Sequence, residues 1–301
     1  MNNNLKVEII EFTDPVCTWC WGSEPLLKEL KVKYKDQVKV KYIMGGLVKD
    51  INQFYDSFND IGGDANNSNK QIVAHWLEAS NKHQMPVNSE NFNLFSNDYP
   101  STYPQNIAYK AAQMEDETLA NNFLRRLREA TITEGKITSQ LGVLIELASE
   151  VGLDVAKFIE RYSNGSAETA FLNDLKLTHD YGVRGFPSFL IRYGEKEILL
   201  RGYQTYPTIK AVIDSLTNKD ITEYPVAKSS EAILEFISKY KSVAPVEIIT
   251  AFTLNKNEYK SIIDNLLAES KIIIEEIGNG SFIKPTSNPL LCDADDGECN
   301  I

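Results

Sequence analysis

Two cysteines separated by two residues are the part of this chain best suited to chemistry. Cys17, Thr18, Trp19 and Cys20 follow the largely apolar run 7–12 and lead into a helix-compatible stretch. A strand that delivers two cysteines to the start of a helix is a redox arrangement, because the free N–H groups and dipole of the helix stabilise a thiolate. We therefore predict that Cys17 attacks a disulfide and that Cys20 resolves the mixed disulfide.

The alternative for this pair is half of a zinc site or two buried core cysteines. A zinc site needs two further ligands. The three histidines, His75, His83 and His179, show no metal-ligand spacing with one another. We therefore predict no metal and no cofactor.

A proline late in the chain is the second local signal. Gly185, Phe186 and Pro187 precede the apolar run 189–193. An X-Pro bond costs only about 0.5–1 kcal/mol to hold in the cis form, so a cis-proline facing the sulfurs is chemically accessible. The backbone of Phe186 would then be free to pair with a substrate strand. The alternative is an ordinary trans proline at a strand entrance.

The apolar patterning predicts the elements that carry these residues. Residues 5–12 read as a strand, 16–35 as a helix and 37–44 as a second strand. Helical patterns dominate from about 50 to 181, after which two strands and a helix, 206–218, complete the pattern. We predict an α/β protein with a thioredoxin fold over 1–218 and a large inserted helical domain at about 50–181.

The remaining residues predict a small second domain. Residues 219–228 resemble a linker. Three short amphipathic helices and a hairpin then fit into 229–285, which is the layout of a winged-helix-like domain. The tail 286–301 carries Cys292 and Cys299 among acidic residues and is predicted to be flexible.

Several segments together resemble the DsbA family of thioredoxin-like proteins, and within it the FrnE-like branch. The resemblance covers about residues 5–217, and it rests on 14–22, Gly45-Gly46-Leu47, 125–135 and 182–187. It implies thiol–disulfide exchange with Cys17 nucleophilic, Cys20 resolving and Pro187 cis. Thr18 stands where many members carry a proline. This difference affects the expected reduction potential of the cysteine pair but not the exchange reaction itself.

Other residues are candidates for supporting roles. We assign substrate contacts to Phe186, Gly185 and Trp19. Glu24 lies one helical turn after Cys20 and is a candidate proton shuttle, the alternative being a solvated helix face. Cys292 and Cys299 resemble the second, wider cysteine pair of FrnE-like proteins and are a candidate auxiliary redox pair, the alternative being two idle thiols. That acidic loop is too short for a calcium-binding EF-hand.

Charge and composition exclude other classes of partner. The net charge is −11, which gives no bulk attraction to nucleic acid or to anionic lipid. The C-terminal residues 228–284 contain seven lysines, no arginine and eight acidic residues, unlike a DNA reader. No apolar run is long enough for a membrane span, and no signal-peptide pattern is visible. We therefore predict a cytoplasmic protein.

Three functions fit these observations. The first is a thiol–disulfide oxidoreductase or isomerase that acts on protein or peptide thiols and disulfides. The second is a redox-sensing adaptor, because the domain order is similar to that of YjbH-type adaptors, which present a transcription factor to a protease. In that case the C-terminal domain would dock a protein partner. The third is a glutathione-dependent isomerase of small molecules, which the presence of Cys20 disfavours.

Overall fold

A mixed sheet forms the centre of the N-terminal part of the protein. The computed structural model describes residues 5–90 and 92–286. The first elements are Val7–Thr13 (β1), Thr18–Trp21 (α1), Glu24–Tyr34 (α2) and Val38–Met44 (β2). β1 and β2 run parallel. The single helix predicted over 16–35 is two helices, because Pro25 lies in the first turn of α2, where its missing N–H is tolerated and a new helix can begin.

A helical insertion with a small hairpin follows β2. Its elements are Tyr55–Asp56 (β3), Ile61–Gly62 (β4), Ala65–His83 (α3), Tyr103–Gln113 (α4), Glu117–Ile132 (α5), Leu141–Glu150 (α6), Val155–Ser163 (α7) and Ser166–Asp180 (α8). The inserted helices are confirmed. The hairpin of β3 and β4 was not predicted, because strands of two residues are too short to show an alternating pattern.

Two further strands and a helix complete the sheet. They are Ser188–Tyr193 (β5), Lys196–Arg201 (β6) and Tyr206–Thr217 (α9). The strand order is β2-β1-β5-β6, with β5 antiparallel to both of its neighbours. One apolar core joins the sheet to α2, α9 and the inserted helices. The predicted fold class, a thioredoxin fold interrupted by helices, is confirmed.

The C-terminal part consists of three helices and a hairpin in the predicted order. They are Ser230–Tyr240 (α10), Pro245–Ala251 (α11), Lys256–Ala268 (α12), Ile272–Ile277 (β7) and Gly280–Pro285 (β8). This part has its own apolar core, which includes Ile233, Ile237 and Ile248. Asn255 caps α12 by accepting hydrogen bonds from two backbone N–H groups of its first turn.

The C-terminal part lies directly against the thioredoxin part. α11 packs on α2, and Phe282 of β8 joins the apolar cluster that surrounds Trp21. The segment predicted as a linker is held as well, since the backbone N–H of Tyr224 donates to the carbonyl of Lys33 over 2.7 Å. The redox motif and the C-terminal part therefore share one packed interior.

Candidate active site

The two cysteines lie at the start of α1. Cys17 is the N-cap, and its Sγ accepts a hydrogen bond from the backbone N–H of Cys20 over 3.2 Å. Cys17 is 6% exposed, whereas Cys20 is fully buried. Burial, together with the hydrogen bond to Cys17, raises the pKa of the Cys20 thiol. Cys17 is therefore the slightly more exposed of the two cysteines, and Cys20 is a fully buried, protonated thiol.

The segment around Pro187 packs against the Gly-Gly segment that follows β2. The Phe186–Pro187 peptide bond is cis. The ring of Phe186 lies against Gly45, where an added Cβ would come within 1.9 Å of the ring Cζ. Only glycine fits there, because real side chains do not approach so closely. Gly45, directly after β2, therefore leaves the space that the ring of Phe186 occupies.

A groove opens beside Cys17. Its volume is about 530 Å³, and Gly185 and Phe186 line it together with Cys17. Its far wall comes from the helical insertion and is mostly aromatic or aliphatic: Phe54, Trp76, Leu94 and Phe95. This is the size and lining expected for a site that takes an apolar side chain. A larger cavity of about 760 Å³ lies between β2 and α10 and has no cysteine in its lining.

The two tryptophans of the motif differ in position. Trp19 lies at the rim, with its ring 5.6 Å from that of Tyr203 and 6.0 Å from that of His83. Trp21 is fully buried, and its indole N–H donates to the carbonyl of Pro86 over 2.9 Å. Trp19 can touch a substrate, whereas Trp21 belongs to the core.

Asp14 joins the loop before the cysteines to two other segments. Its fully buried carboxylate accepts hydrogen bonds from the backbone N–H groups of Val16 and Leu47 and from the side chains of Thr102 and Asn106. These bonds span 2.7–3.0 Å. Burial raises the pKa of Asp14, although these hydrogen bonds stabilise the carboxylate and act to lower it. Asp14 therefore fixes the motif relative to the Gly-Gly segment and to α4.

The sequence analysis missed a buried carboxyl group that acts electrostatically on Cys20. Glu11 of β1 is fully buried, and its oxygens accept no hydrogen bond from any described residue. Burial raises its pKa to about 8, although the guanidinium of Arg128 at 3.6 Å opposes the shift. Glu11 and Arg128 both act electrostatically on Cys20. A carboxyl group with such a pKa can give or take a proton near neutral pH.

Glu24, the predicted proton shuttle, occupies a different environment from the one expected. It is only 7% exposed, so it does not lie on a solvated helix face. Burial alone would raise its pKa, but Lys28, Arg128 and Arg125 outweigh burial and lower it. A carboxylate that stays ionised near neutral pH is a poor proton carrier. We therefore transfer the proposed shuttle role to Glu11.

A histidine beside the motif was also missed. His83 at the end of α3 is 2% exposed, and burial lowers its pKa to about 4. Its Nδ1 accepts from the backbone N–H of Met85, so the neutral ring carries its proton on Nε2, 3.4 Å from the hydroxyl of Thr18. Its ring also fills the space beside Gly22, where an added Cβ would lie 2.5 Å away.

The predicted auxiliary cysteine pair, a metal site and a membrane span were the remaining features considered from the sequence. Cys292 and Cys299 are outside the described residues. Among residues 5–90 and 92–286, no cluster of three or more His, Cys, Asp or Glu side chains is arranged to hold a metal. None of the described helices combines the length and apolar character needed to cross a membrane.

A cysteine pair at a helix start, in a chain that also has a cis-proline directly before a strand of a mixed sheet, is the arrangement of a thioredoxin-like protein. The chain belongs to the thioredoxin family, since the family described as Thioredoxin matches residues 11–211.

The chain is similar to two kinds of known protein, ClpXP adapters in sequence and a disulfide reductase in structure. The chain is 24% identical over 280 residues to the ClpXP adapter protein SpxH of Halalkalibacterium halodurans, covering 92% of this chain and 88% of that one. It is 23% identical over 287 residues to SpxH of Bacillus subtilis, covering 93% and 90%. The structure of the cytosolic disulfide reductase DsbM from Pseudomonas aeruginosa superposes with a TM-score of 0.55 and 20% identity, covering 70% of this chain and 98% of DsbM.

The coverage distinguishes the two kinds of match. The match to DsbM includes nearly all of that protein but leaves almost a third of this chain unmatched. The matches to SpxH include more than nine-tenths of this chain. The two resemblances predicted from the sequence, to DsbA-like thioredoxin proteins and to adaptors, are both confirmed at the level of fold and relatedness.

Proposed function

We propose that this protein is a thiol–disulfide oxidoreductase that acts on protein or peptide substrates through Cys17 and Cys20. The observation that carries the proposal is the Sγ of Cys17 at the N-cap of α1, which opens onto a groove shared with Phe186. The backbone of Phe186 and Gly185 would align a substrate strand, and Trp19 would contact it at the rim. A cytoplasmic location fits the proposal.

The reaction begins with the thiolate of Cys17. It attacks one sulfur of a substrate disulfide, so that an S–S bond forms to Cys17 and the other substrate sulfur leaves as a thiolate. Cys20 then gives its proton to the ionised form of Glu11, which is the minor form at neutral pH. The Cys20 thiolate attacks Sγ of Cys17, so that the Cys17–Cys20 bond forms, the bond between Cys17 and the substrate breaks, and the second substrate sulfur leaves as a thiolate. The two substrate thiolates take up one proton from Glu11 and one from solvent, and the protein holds a Cys17–Cys20 disulfide. Run in reverse, the same steps oxidise a substrate.

The proposal is tested by disulfide reduction on a peptide substrate, with wild type, Cys17→Ser and Cys20→Ser. Cys17→Ser should abolish turnover, and Cys20→Ser should accumulate a mixed disulfide at Cys17 because the resolving thiol is missing. Equal rates in wild type and Cys17→Ser would refute the proposal. Removal of residues 286–301 in the same assay tests the predicted relay from Cys292 and Cys299.

The second candidate is a redox-sensing adaptor that binds a protein partner and delivers it to a protease. The match to proteins named ClpXP adapter over 92% of this chain favours it, since that match extends through the C-terminal part. The test compares protein half-lives in cells that contain wild type, the Cys17→Ser/Cys20→Ser variant or neither. Proteins degraded equally fast with wild type and variant support an adaptor that needs no turnover. If no half-life depends on the protein, the adaptor function is refuted.

A further inference from the structure

A cluster of buried charges joins the two parts of the protein. Its members are connected by ion pairs within 4 Å: Lys28, Arg125, Arg128, Glu11, Glu24, Glu129 and Glu247. Six of these residues belong to β1, α2 and α5 of the thioredoxin part. Glu247 alone comes from the C-terminal part, in the first turn of α11.

The ion pairs form a continuous path from the redox site to Glu247. Arg128 lies 3.6 Å from Glu11 and 2.5 Å from Glu24. Glu24 in turn lies 3.7 Å from Arg125 and 3.4 Å from Lys28. Arg125 and Lys28 both pair with Glu247, with 2.8 Å between Arg125 Nη1 and Glu247 Oε1.

Glu247 is held firmly in this position. Its side chain is fully buried, and its Oε2 accepts from the backbone N–H of Ala244 over 2.7 Å. Arg125 donates from both terminal nitrogens, to Oε1 and Oε2 of Glu247, and its Nη2 also donates to the carbonyl of Ser242. A two-pronged contact of this kind fixes both groups in one geometry.

The cluster balances its charges only when Glu247 is included. Its cations are Lys28, Arg125 and Arg128, and its carboxylates other than Glu11 are Glu24, Glu129 and Glu247. Glu11, whose pKa burial raises to about 8, can therefore stay uncharged. Without Glu247 one buried positive charge would be left over. Lys31 adds to the field at Glu24 but makes no ion pair within the described residues, and burial lowers its pKa.

We propose that Glu247 is a positioning residue for the redox site, so that contact with the C-terminal part sets the balance between the Cys17–Cys20 disulfide and the dithiol. Glu247 pairs with Lys28 and shares Arg125 with Glu129. Glu24 is then available to pair with Arg128, and this arrangement sets the electrostatic potential at Glu11 and Cys20. Loss of its charge leaves the cluster more positive. A more positive surrounding stabilises thiolates and therefore the reduced form. This inference rests on the proposed redox function.

The test is the equilibrium of the full-length protein with glutathione at pH 7. In this reaction the protein disulfide and two glutathione thiols give the protein dithiol and one glutathione disulfide. Glu247→Gln should shift the equilibrium toward the dithiol by about fivefold, the size of a modest coupling between sites. Lys28→Gln removes a positive charge from the same contact and should shift it toward the disulfide. The double variant should return close to wild type.

Glu275→Gln is the matched control, because Glu275 lies on the surface of the same C-terminal part and, among residues 5–90 and 92–286, forms an ion pair only with Lys284. It should leave the equilibrium unchanged. A merely structural role of Glu247 would not give opposite shifts with rescue in the double variant. No shift in Glu247→Gln, or shifts of one sign in both single variants, overturns the inference.

The remaining outcomes separate this inference from the proposed function. If Glu247→Gln does not fold, Lys28→Gln decides alone, and an unchanged equilibrium in it overturns the inference. If the wild type gives a measurable equilibrium and the variants do not shift it, only the role of Glu247 is refuted. A wild-type protein that forms no Cys17–Cys20 disulfide refutes the redox function and this inference together.

Discussion

Glu11→Gln should make the protein more stable at neutral pH and slower in disulfide exchange. Glu11 is fully buried on β1 and accepts no hydrogen bond from the described residues, so its charged form is poorly compensated. Burial raises its pKa to about 8, from a reference of 4.5. Glutamine has nearly the same shape but cannot ionise, and Arg128 keeps Glu24 as a partner.

The magnitude follows from the shift in pKa. A carboxyl group whose pKa is raised on folding stabilises the fold fully below its unfolded value, and this contribution is lost as the pH rises toward the folded value. At pH 7 the gap from 4.5 is about 2.5 units, or roughly 3 kcal/mol at about 1.4 kcal/mol per unit. The free energy of unfolding of Glu11→Gln relative to wild type should therefore rise by roughly 3 kcal/mol between pH 4.5 and 7.

The assay is urea unfolding of both reduced proteins across this pH range. The other titrating groups are present in both proteins, so the contributions of those distant from Glu11 cancel in the difference. Glu8→Gln is the control, since Glu8 lies on the same strand, is only partly buried and pairs with Lys41. Its effect should stay within about 1 kcal/mol. A constant difference between Glu11→Gln and wild type at all pH values would refute the reasoning.

The same variant should lose its proton acceptor. Release of the mixed disulfide requires the Cys20 thiol to give up its proton, and Glu11 is the buried carboxyl group that acts on it. General base catalysis contributes at least about 100-fold, so Glu11→Gln should slow release by a similar factor. Stopped-flow mixing with a peptide disulfide measures this step. An unchanged rate would exclude Glu11 as the acceptor.

Three further predictions concern the residues that shape the site. Gly45→Ala should cost about 1–3 kcal/mol in thermal unfolding because its Cβ would meet the Phe186 ring at 1.9 Å, whereas Gly142→Ala meets nothing within 4 Å and should be tolerated. Burial lowers the pKa of His83 from 6.5 to about 4, so the fold should lose about 3 kcal/mol as the pH falls through this range, and His83→Gln should flatten that slope in acid titration. Asp14→Asn should lower the free energy of unfolding, measured by urea titration, by about 3 kcal/mol, because an amide nitrogen would replace an oxygen that accepts several hydrogen bonds.

Local sequence signals were sufficient for part of this site. Cys17 and Cys20 were predicted because a helix start and a preceding strand are visible within twenty residues, and Pro187 because an X-Pro bond before a strand is a local feature. The helical insertion was predicted from its periodicity, and its helices all lie within the predicted range of about 50–181. The boundaries of the domains stay a prediction.

Long-range contacts account for what sequence reasoning missed. Glu24 was a candidate proton shuttle with a solvated helix face as the alternative, but it is buried and pairs with Lys28, which also pairs with Glu247, a residue more than two hundred positions away. Glu11 and Arg128 meet only when α5 packs on the sheet. The signal that could have identified Glu11 is a carboxylate flanked directly by apolar residues, Ile10 and Phe12, within a predicted strand.

The central claim is that Cys17 is the exchanging sulfur and Cys20 resolves it. The most direct measurement is the intact mass of wild type, Cys17→Ser and Cys20→Ser after brief exposure to oxidised glutathione under native conditions, followed by acid quenching and peptide mapping. Cys20→Ser should carry one glutathione on Cys17, wild type should pass to an internal disulfide without a lasting adduct, and Cys17→Ser should carry none at Cys20. An adduct on Cys20, or no adduct on Cys17 in Cys20→Ser, would contradict the account.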